Sequence, residues 1–318
     1  MNLSSNDDLL MVRAAELYYN DGYNQSQVAD RLMLSRWQVG RLLEKARETG
    51  LVEIRIHHPA SRRRDLESAL RNKFGDVHPI VVDTQATQAA TLNLAARVAA
   101  NHVAELRPAP SLIGLSWGRS VSAIANALPN NVFHKPVIVQ LNGSALSVEL
   151  TVDAASIIAT VAKRSVQPTT LLLPAPAIAG SQGLVDHFFA DPHVQKTIEL
   201  GEKADLAIYS LGALTPNSVL AQSGSISTHE QITLKQRGCV GDILGHYIDN
   251  KGAIVDLTLE ARTISINLES LRDCDRALAI AIGSEKSEVT FGALHAGLCR
   301  TLITESAIAK RVLEMGNE

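Results

Sequence analysis

Residues 22–56 limit what this chain can fold into more than any other segment. They read GYNQSQVADRLMLSRWQVGRLLEKARETGLVEIRI, which predicts a helix, a tight turn, a second helix and an extended strand. The apolar residues of the second helix recur at helical spacing: Val39, Leu42, Leu43 and Ala46. Residues 51–56 alternate apolar and polar, as a half-buried strand does. This order is typical of a winged helix-turn-helix, which places its second helix in the major groove of DNA.

A pair of helices with a solvated charged face would produce part of the same pattern. Three details favour DNA binding: the small Ala29 where two helices cross, a Leu-Ser turn in which Ser35 can cap the next helix, and a basic outward face. Met33 stands in the turn where glycine is usual. The backbone there must therefore avoid a left-handed conformation or accept modest strain.

The motif assigns DNA contacts to residues on its exposed face. Residues at the start of the second helix reach base edges in such motifs. The candidates are Gln25, Ser35, Arg36, Trp37, Gln38, Arg41 and Lys45. Of these, Arg41 and Lys45 lie further along the helix, and we expect them to contact phosphate.

The segment after the motif leaves alternatives open. His57 and His58 are adjacent, so on a strand they point to opposite faces, which favours the end of the wing over a metal site. Residues 61–64, Ser-Arg-Arg-Arg, could contact the DNA backbone or form a solvated linker. Residues 65–75 predict a short helix that serves as a connector or a dimerisation element.

Composition narrows the class of protein. The 318 residues are 46% hydrophobic with a net charge of −3, which allows a large core and argues against nonspecific coating of nucleic acid. Basic residues outnumber acidic ones by 10 to 8 in residues 1–64, but are outnumbered by 20 to 25 in residues 65–318. The three cysteines lack metal or redox spacing, and no signal peptide or membrane span is evident. We expect a soluble cytoplasmic protein.

From Pro79 onward, short apolar runs alternate with helical patterns. The predicted strands are 80–82, 112–115, 137–141, 170–173, 206–210, 278–282 and 301–303. The predicted helices are 88–106, 120–128, 150–164, 184–200, 287–298 and 305–315. Such alternation predicts a mostly parallel α/β sheet covered on both faces. Ligands of these sheets bind in the loops that follow the carboxyl ends of the strands.

One of these loops has the composition of a phosphate site. In LIGLSWGRS, residues 112–120, a strand is followed by a Ser/Gly loop and a helix. Free N–H groups at a helix start attract anions, Ser116, Arg119 and Ser120 add side-chain donors, and Gly118 allows close approach of the backbone. An ordinary strand-to-helix turn rich in serine and glycine would look similar. The segment is neither a P-loop nor a dinucleotide fingerprint, and we expect no cofactor.

Two charged residues in other loops indicate a polar ligand. Asp242 stands between glycines in an apolar segment, where a carboxylate is more useful as a hydroxyl acceptor than as a surface charge. Lys286 lies near the start of a predicted helix, an unfavourable place for a cation unless it meets an anion. Together with the loop at 140–144, these loops suggest a sugar or polyol that carries one phosphate.

Five segments together resemble the SorC family of bacterial sugar-responsive transcriptional regulators: RLLEKARETGLVEI, LSWGRS, GCVGDILGHYID, AIAIGSEKSEVTFGAL and LITES. The resemblance spans nearly the whole chain. It implies a winged helix-turn-helix, and a C-terminal domain shaped like ribose-5-phosphate isomerase and glucosamine-6-phosphate deaminase. It also implies a tetramer and a phosphorylated sugar as effector.

Carried over residue by residue, the resemblance implies phosphate contacts from Ser116, Gly118, Arg119 and Ser120. It places Gln140 and Gly143 in the pocket lining, Asp242 on a sugar hydroxyl and Lys286 beside the ligand. The chain departs from the family's pattern at Asn142-Gly143-Ser144, where a second glycine is commoner, and this bears on which sugar binds. It also has Thr304-Glu305 where Asp-Glu is frequent, which we expect to affect only a helix cap.

These observations predict a regulator of a carbohydrate or polyol catabolic operon. It would have a DNA-binding domain (1–60), a linker with a connector helix (61–78), and an effector-binding and oligomerisation domain (79–318). Its partners would be double-stranded operator DNA, the effector and further copies of itself, as a dimer of dimers. The alternative is a sugar-phosphate isomerase or deaminase with a regulatory head. Such an enzyme needs an acid and a base around one carbon, and Asp242, Glu149, Glu285, His246 and His295 form no recognisable catalytic pair.

Overall fold

The computed structural model describes residues 6–52, 62–145 and 153–316. The chain divides into two compact units, residues 1–59 and 60–318. The N-terminal unit contains α1 (Asn6–Ala15), a π-helical turn (Glu16–Asn20), α2 (Gln25–Leu32) and α3 (Arg36–Glu48). Helices α2 and α3 form the predicted helix-turn-helix. Val28, Val39 and Ala46 are fully buried in its core, and Ala29 is nearly so.

Local chemistry explains where these two helices begin and end. Asn24 caps α2 by accepting the Ser26 and Gln27 N–H groups. Ser35 caps α3 and exchanges hydrogen bonds with Gln38, so each start is a capping box. Between the helices, Met33 has φ 54° and ψ 42°. The chain therefore accepts the left-handed strain that a glycine would avoid.

The predicted wing falls mostly outside the described residues. Leu51 and Val52, at its start, form a bend. Residues 53–56 and the His57-His58 pair lie beyond the described part of the chain. The wing strand and its end therefore stay predictions.

The described residues of the C-terminal unit form a nine-stranded sheet. Its strands are β1 (His78–Val82), β2 (Leu112–Leu115), β3 (Val137–Gln140), β4 (Thr169–Leu171), β5 (Leu206–Ala213), β6 (Gly241–Ile243), β7 (His246–Ile248), β8 (Ala277–Ala281) and β9 (Thr301–Glu305). Neighbouring residues of one strand, such as Ile208 and Tyr209, belong to separate hydrophobic clusters. The sheet is therefore buried on both faces, as predicted.

Helices connect and cover these strands. They are α4 (Arg64–Phe74), α5 (Gln88–Glu105), α6 (Arg119–Ala127), α7 (Ala154–Lys163), α8 (Gln182–Ala190), α9 (Pro192–Glu202), α10 (Val219–Gln222), α11 (Thr228–Gln236), α12 (Leu257–Glu260), α13 (Leu268–Asp273), α14 (Ser287–His295) and α15 (Ser306–Glu314). Within the described residues, no helix has the length and apolar character needed to cross a membrane.

Two predicted elements differ from the structure. The single helix expected at 184–200 is two helices, because Asp191 caps α9 and Pro192 occupies its first turn, where proline is favourable only at a helix start. The segment 238–249, expected to be a loop, contains the hairpin of β6 and β7. This hairpin pairs antiparallel with the end of β5.

The strand order fixes where a ligand can bind. The order is β1-β9-β8-β5-β2-β3-β4, and β2 pairs in parallel with both β3 and β5. The chain runs outward from β2 to β3 and β4, and then crosses to β5 and continues in the other direction. Loops that leave adjacent strands in opposite directions open a crevice between them. This crevice lies at the carboxyl ends of β2 and β5.

The arginine-rich segment 61–64 is largely engaged within the C-terminal unit. Arg62 forms an isolated antiparallel bridge with Val82, and its guanidinium binds the buried Glu67 carboxylate at 2.7 and 2.9 Å. Arg63 pairs with Asp65 at 2.7 Å. These contacts favour the linker interpretation over contact with DNA.

Candidate functional site

A polar cavity of about 160 Å³ occupies the crevice at the ends of β2 and β5. A single water needs roughly 10–15 Å³ on this measure, so the space suits a small polar ligand. Its polar lining comes from Ser116, Trp117, Arg119, Ser120, Asn142, Ser210, Thr215, Asn217, Ser218, Asp242, Glu285 and Lys286. Gly118 also lines it.

The loop between β2 and α6 presents the N-terminus of a helix to the cavity. Gly118 has φ 111°, a conformation that favours glycine, and it stands at the N-cap of α6 with no side chain to cap the first turn. Ser116 and Ser120 are buried at 4% and 6% exposure, so their hydroxyls face the protein interior and the cavity rather than solvent. Uncapped N–H groups and nearby hydroxyls form a suitable cradle for an anion.

Asp242 projects from the β6–β7 hairpin against β5. It is paired with Gly212 in the sheet register, and a Cβ on Gly212 would lie 1.9 Å from the Asp242 Oδ1. Asp242 accepts the Gly245 N–H at 3.1 Å. Burial raises the pKa of Asp242 to about 6, although this hydrogen bond and the charge of Lys286 act in the opposite direction. The carboxylate is therefore held in place with acceptor capacity left for a ligand.

Two cations border the cavity without an anionic partner. Lys286 is half-buried and Arg119 is exposed, and neither makes an ion pair or side-chain hydrogen bond among the described residues. Burial lowers the pKa of the Lys286 ammonium, as does the Arg119 charge, while the charges of Glu285 and Asp242 act against this. An unpaired, partly desolvated ammonium is stabilised when an anion binds beside it.

Gln140 and Gly143 are not among the cavity-lining residues. Gln140 is 1% exposed, and its amide group donates to the Asn142 carbonyl and the Ser144 hydroxyl while accepting the Leu173 N–H. Gln140 therefore stabilises the loop at residues 140–144 from the protein interior. Gly143 lies against the Pro176 backbone, and its carbonyl accepts the Trp117 indole N–H at 2.7 Å.

Asn142, between these two residues, is one of several polar lining residues that sequence reasoning missed; the others are Trp117, Ser210, Thr215, Asn217, Ser218 and Glu285. Asn142 is 2% exposed, and its Oδ1 has no hydrogen-bond partner within residues 6–52, 62–145 and 153–316. Buried polar atoms are nearly always satisfied, so this amide oxygen is available to accept a hydrogen bond from a ligand in the cavity. The sequence contained a weak signal, since Asn142 lies in the segment Asn142-Gly143-Ser144 where the chain departs from the family's pattern.

The DNA candidates of the N-terminal unit divide into two groups. Arg36, Trp37, Arg41 and Lys45 are exposed, and the Arg41 guanidinium lies over the Trp37 ring at 5.0 Å. Ser35 and the side-chain Oε1 of Gln38 are engaged in the capping box. A further surface pocket brings Gln25 and Arg36 together.

The pH dependence of stability should reflect the raised pKa of Asp242. Its pKa rises from 3.8 to about 6 on folding, so between these values the folded state holds more protons than the unfolded state. The contribution of Asp242 to the free energy of unfolding of the ligand-free protein therefore falls as pH rises through this window. Asp242→Asn cannot ionise, so we expect its stability advantage over wild type to grow from pH 4 to pH 6 and then level off. Urea unfolding across this range checks it; a constant difference would contradict it.

Comparison with known proteins shows what the chain is similar to. Residues 58–314 match the family described as "Putative sugar-binding domain". The chain is 30% identical to the deoxyribonucleoside regulator of Bacillus subtilis over 306 residues, 96% of this chain and 97% of that protein. It is 28% identical to the erythritol catabolism regulatory protein EryD of Brucella abortus over 313 residues, 98% of each. The crystal structure of the full-length sorbitol operon regulator SorC from Klebsiella pneumoniae matches with a TM-score of 0.72 at 27% identity, covering 98% of this chain and 100% of that one.

Proposed function

The chain belongs to the sugar-binding-domain family of SorC-type regulators, and from that premise we propose that it is a transcription factor of a carbohydrate or polyol operon. Its relatives carry the names of deoxyribonucleoside, erythritol and sorbitol regulators, which supports this class of operon. We propose a cytoplasmic protein that binds double-stranded operator DNA and a phosphorylated sugar or polyol.

The polar cavity is the observation that carries the effector proposal. One side offers the uncapped start of α6 with the cations Arg119 and Lys286, which suits a phosphate. The other side offers the Asp242 carboxylate and the unpaired Asn142 oxygen. Both are hydrogen-bond acceptors, and hydroxyl groups of a polyol are donors that would satisfy them.

On the DNA side, we propose that Arg36, Trp37 and Gln38 read base edges while Arg41 and Lys45 contact phosphates. Arg36→Ala should weaken operator binding by about 1–3 kcal/mol and relax base preference at one position. Fluorescence anisotropy with the operator and single-base variants measures this. The control is Arg13→Ala, since Arg13 is also exposed but pairs with Glu16 in α1. An unchanged affinity and footprint for Arg36→Ala would remove it from the readout.

We propose that the effector gates DNA binding through the assembly of the protein. Two N-terminal units of an oligomer would bind a two-fold operator with half-sites in phase with the helical repeat. An effector changes this only if its affinity differs between the DNA-competent and incompetent arrangements. Tetramer formation, as a dimer of dimers, is part of the same proposal and is tested by light scattering with and without effector.

A thermal-shift screen tests the effector proposal most directly. Binding to the native state raises the melting temperature, so phosphorylated polyols and sugars should stabilise the protein more than their unphosphorylated counterparts. A positive compound should then change operator affinity. Equal stabilisation by both forms would contradict the phosphate assignment. Turnover of a sugar phosphate that Asp242→Asn abolishes would favour the isomerase or deaminase alternative.

A further inference from the structure

The position of Lys286 needs a structural cause. It directly precedes α14 and stands at its N-cap without a side-chain cap, where the helix dipole opposes a cation. Neither an ion pair nor a side-chain hydrogen bond from any described residue holds its ammonium. The backbone of the preceding loop, Gly283–Lys286, sets the point from which this side chain extends into the cavity.

A hydrogen bond to one buried carboxylate connects that loop to the sheet. Glu305 ends β9 and is 4% exposed, and its Oε1 accepts the Gly283 N–H at 2.7 Å. The Lys286 N–H in turn donates to the Gly283 carbonyl at 3.0 Å. Two hydrogen bonds thus connect Glu305 to the backbone of the residue that carries the ammonium.

Further contacts surround the same loop. Gly283 has φ 104°, and a Cβ there would lie 2.3 Å from both the Gln88 Nε2 and the Glu285 Oε1. Gln88 holds the loop from the other side, since its amide donates to the Glu285 carboxylate at 3.2 Å. Glu305 occupies the N-cap position of α15 but makes no side-chain cap hydrogen bond. Its carboxylate therefore binds the loop backbone and does not cap the helix.

We infer that Glu305 is a positioning residue for the effector: it holds the Gly283–Lys286 loop so that the Lys286 ammonium meets the bound phosphate. The inference rests on the proposed function. Glu305 acts through a hydrogen bond to the loop backbone, because the charges that shift the pKa of Lys286 come from Glu285, Asp242 and Arg119. Glutamine, which keeps a carbonyl oxygen in the same place, should therefore replace Glu305 well, and alanine should not.

A double-mutant cycle with inorganic phosphate tests this on the full-length protein. Affinity is taken from the dependence of melting temperature on phosphate concentration, at ionic strength kept constant with sodium chloride. We expect Lys286→Met and Glu305→Ala each to lose roughly 10- to 100-fold of phosphate affinity. The double variant should lose no more than Lys286→Met alone, because both changes remove one interaction. Glu305→Gln should stay within about threefold of wild type.

Glu67→Ala is the matched control. Glu67 is buried to 3% and accepts the Val81 N–H at 3.0 Å, but it does not contact the Gly283–Lys286 loop. It should lower the melting temperature without changing phosphate affinity, which separates destabilisation from positioning.

Five results would decide against the inference. Wild-type affinity in Glu305→Ala, or losses that add in the double variant, would overturn it while leaving the proposed function intact. A Glu67→Ala affinity loss equal to that of Glu305→Ala would assign the effect to general destabilisation. Absence of phosphate binding to wild type, or normal binding by Lys286→Met, would instead refute the phosphate assignment, and the inference would fall with it.

Discussion

Lys286→Met is expected to abolish the response to a phosphorylated effector while leaving operator binding intact. The ammonium borders the cavity, is half-buried and makes no direct ion pair among the described residues, although the charges of Glu285 and Asp242 raise its pKa. Removing one member of a desolvated charge pair costs about 2–5 kcal/mol of binding free energy. Methionine keeps most of the apolar stem, so the cavity should keep its shape. Isothermal titration with the screened effector measures the loss.

The ligand-free protein gives a second readout for the same substitution. Because burial disfavours the charged ammonium, Lys286→Met should be at least as stable as wild type without ligand. The matched control is Lys251→Met, since Lys251 is an exposed lysine in a turn outside the cavity lining. Retained effector affinity in Lys286→Met would show that the phosphate binds elsewhere.

Gly143→Ala is expected to destabilise the C-terminal unit strongly. A Cβ at this position would lie 2.1 Å from the Pro176 carbonyl oxygen and 2.4 Å from its carbon. Those atoms cannot move aside easily, because Ser144 exchanges backbone hydrogen bonds of 2.8 Å with Ala175 and Ala177 on either side of Pro176. Overpacking against fixed atoms costs about 1–3 kcal/mol or more. Urea unfolding should therefore show a lower midpoint.

The control is Gly183→Ala, because a Cβ on Gly183 in α8 would meet nothing within 4 Å. Alanine is favoured in helices, so this variant should be as stable as wild type or slightly more so. A lining role for Gly143, as the family resemblance implies, makes a different prediction: weaker effector binding with unchanged stability. That outcome would contradict the packing role.

Much of the proposed site could be predicted from the sequence because some of its chemistry is local. A strand, a Ser/Gly loop and a helix follow one another in residues 112–120, so Ser116, Gly118 and Arg119 are brought to one place by the backbone alone. Asp242 and Lys286 were recognised because each charge was out of place in its own segment. Cavity lining by these residues agrees with that reasoning.

Other residues depend on neighbours that are distant in sequence. Gln140 was expected in the pocket, but the Leu173 N–H, 33 residues away, draws its amide inward. The Asn142 Oδ1 has no hydrogen-bond partner in the part of the chain that the structure describes, and this depends on packing that its own segment does not determine. The hairpin that carries Asp242 was expected to be a loop, because three-residue strands leave too short a pattern to recognise.

Thr304-Glu305, near the C-terminus, is another pair whose role depends on a contact distant in sequence. The sequence predicted that this pair would affect only a helix cap, whereas Glu305 makes no cap hydrogen bond and binds the Gly283 N–H 22 residues away. The sequence by itself determined the helix-turn-helix, the parallel sheet and the charges available for a ligand, since periodicity and residue type carry that information. Only the tertiary structure decided which polar groups face the cavity and which satisfy the interior. That choice depends on strand order and on hydrogen bonds between segments far apart in the chain.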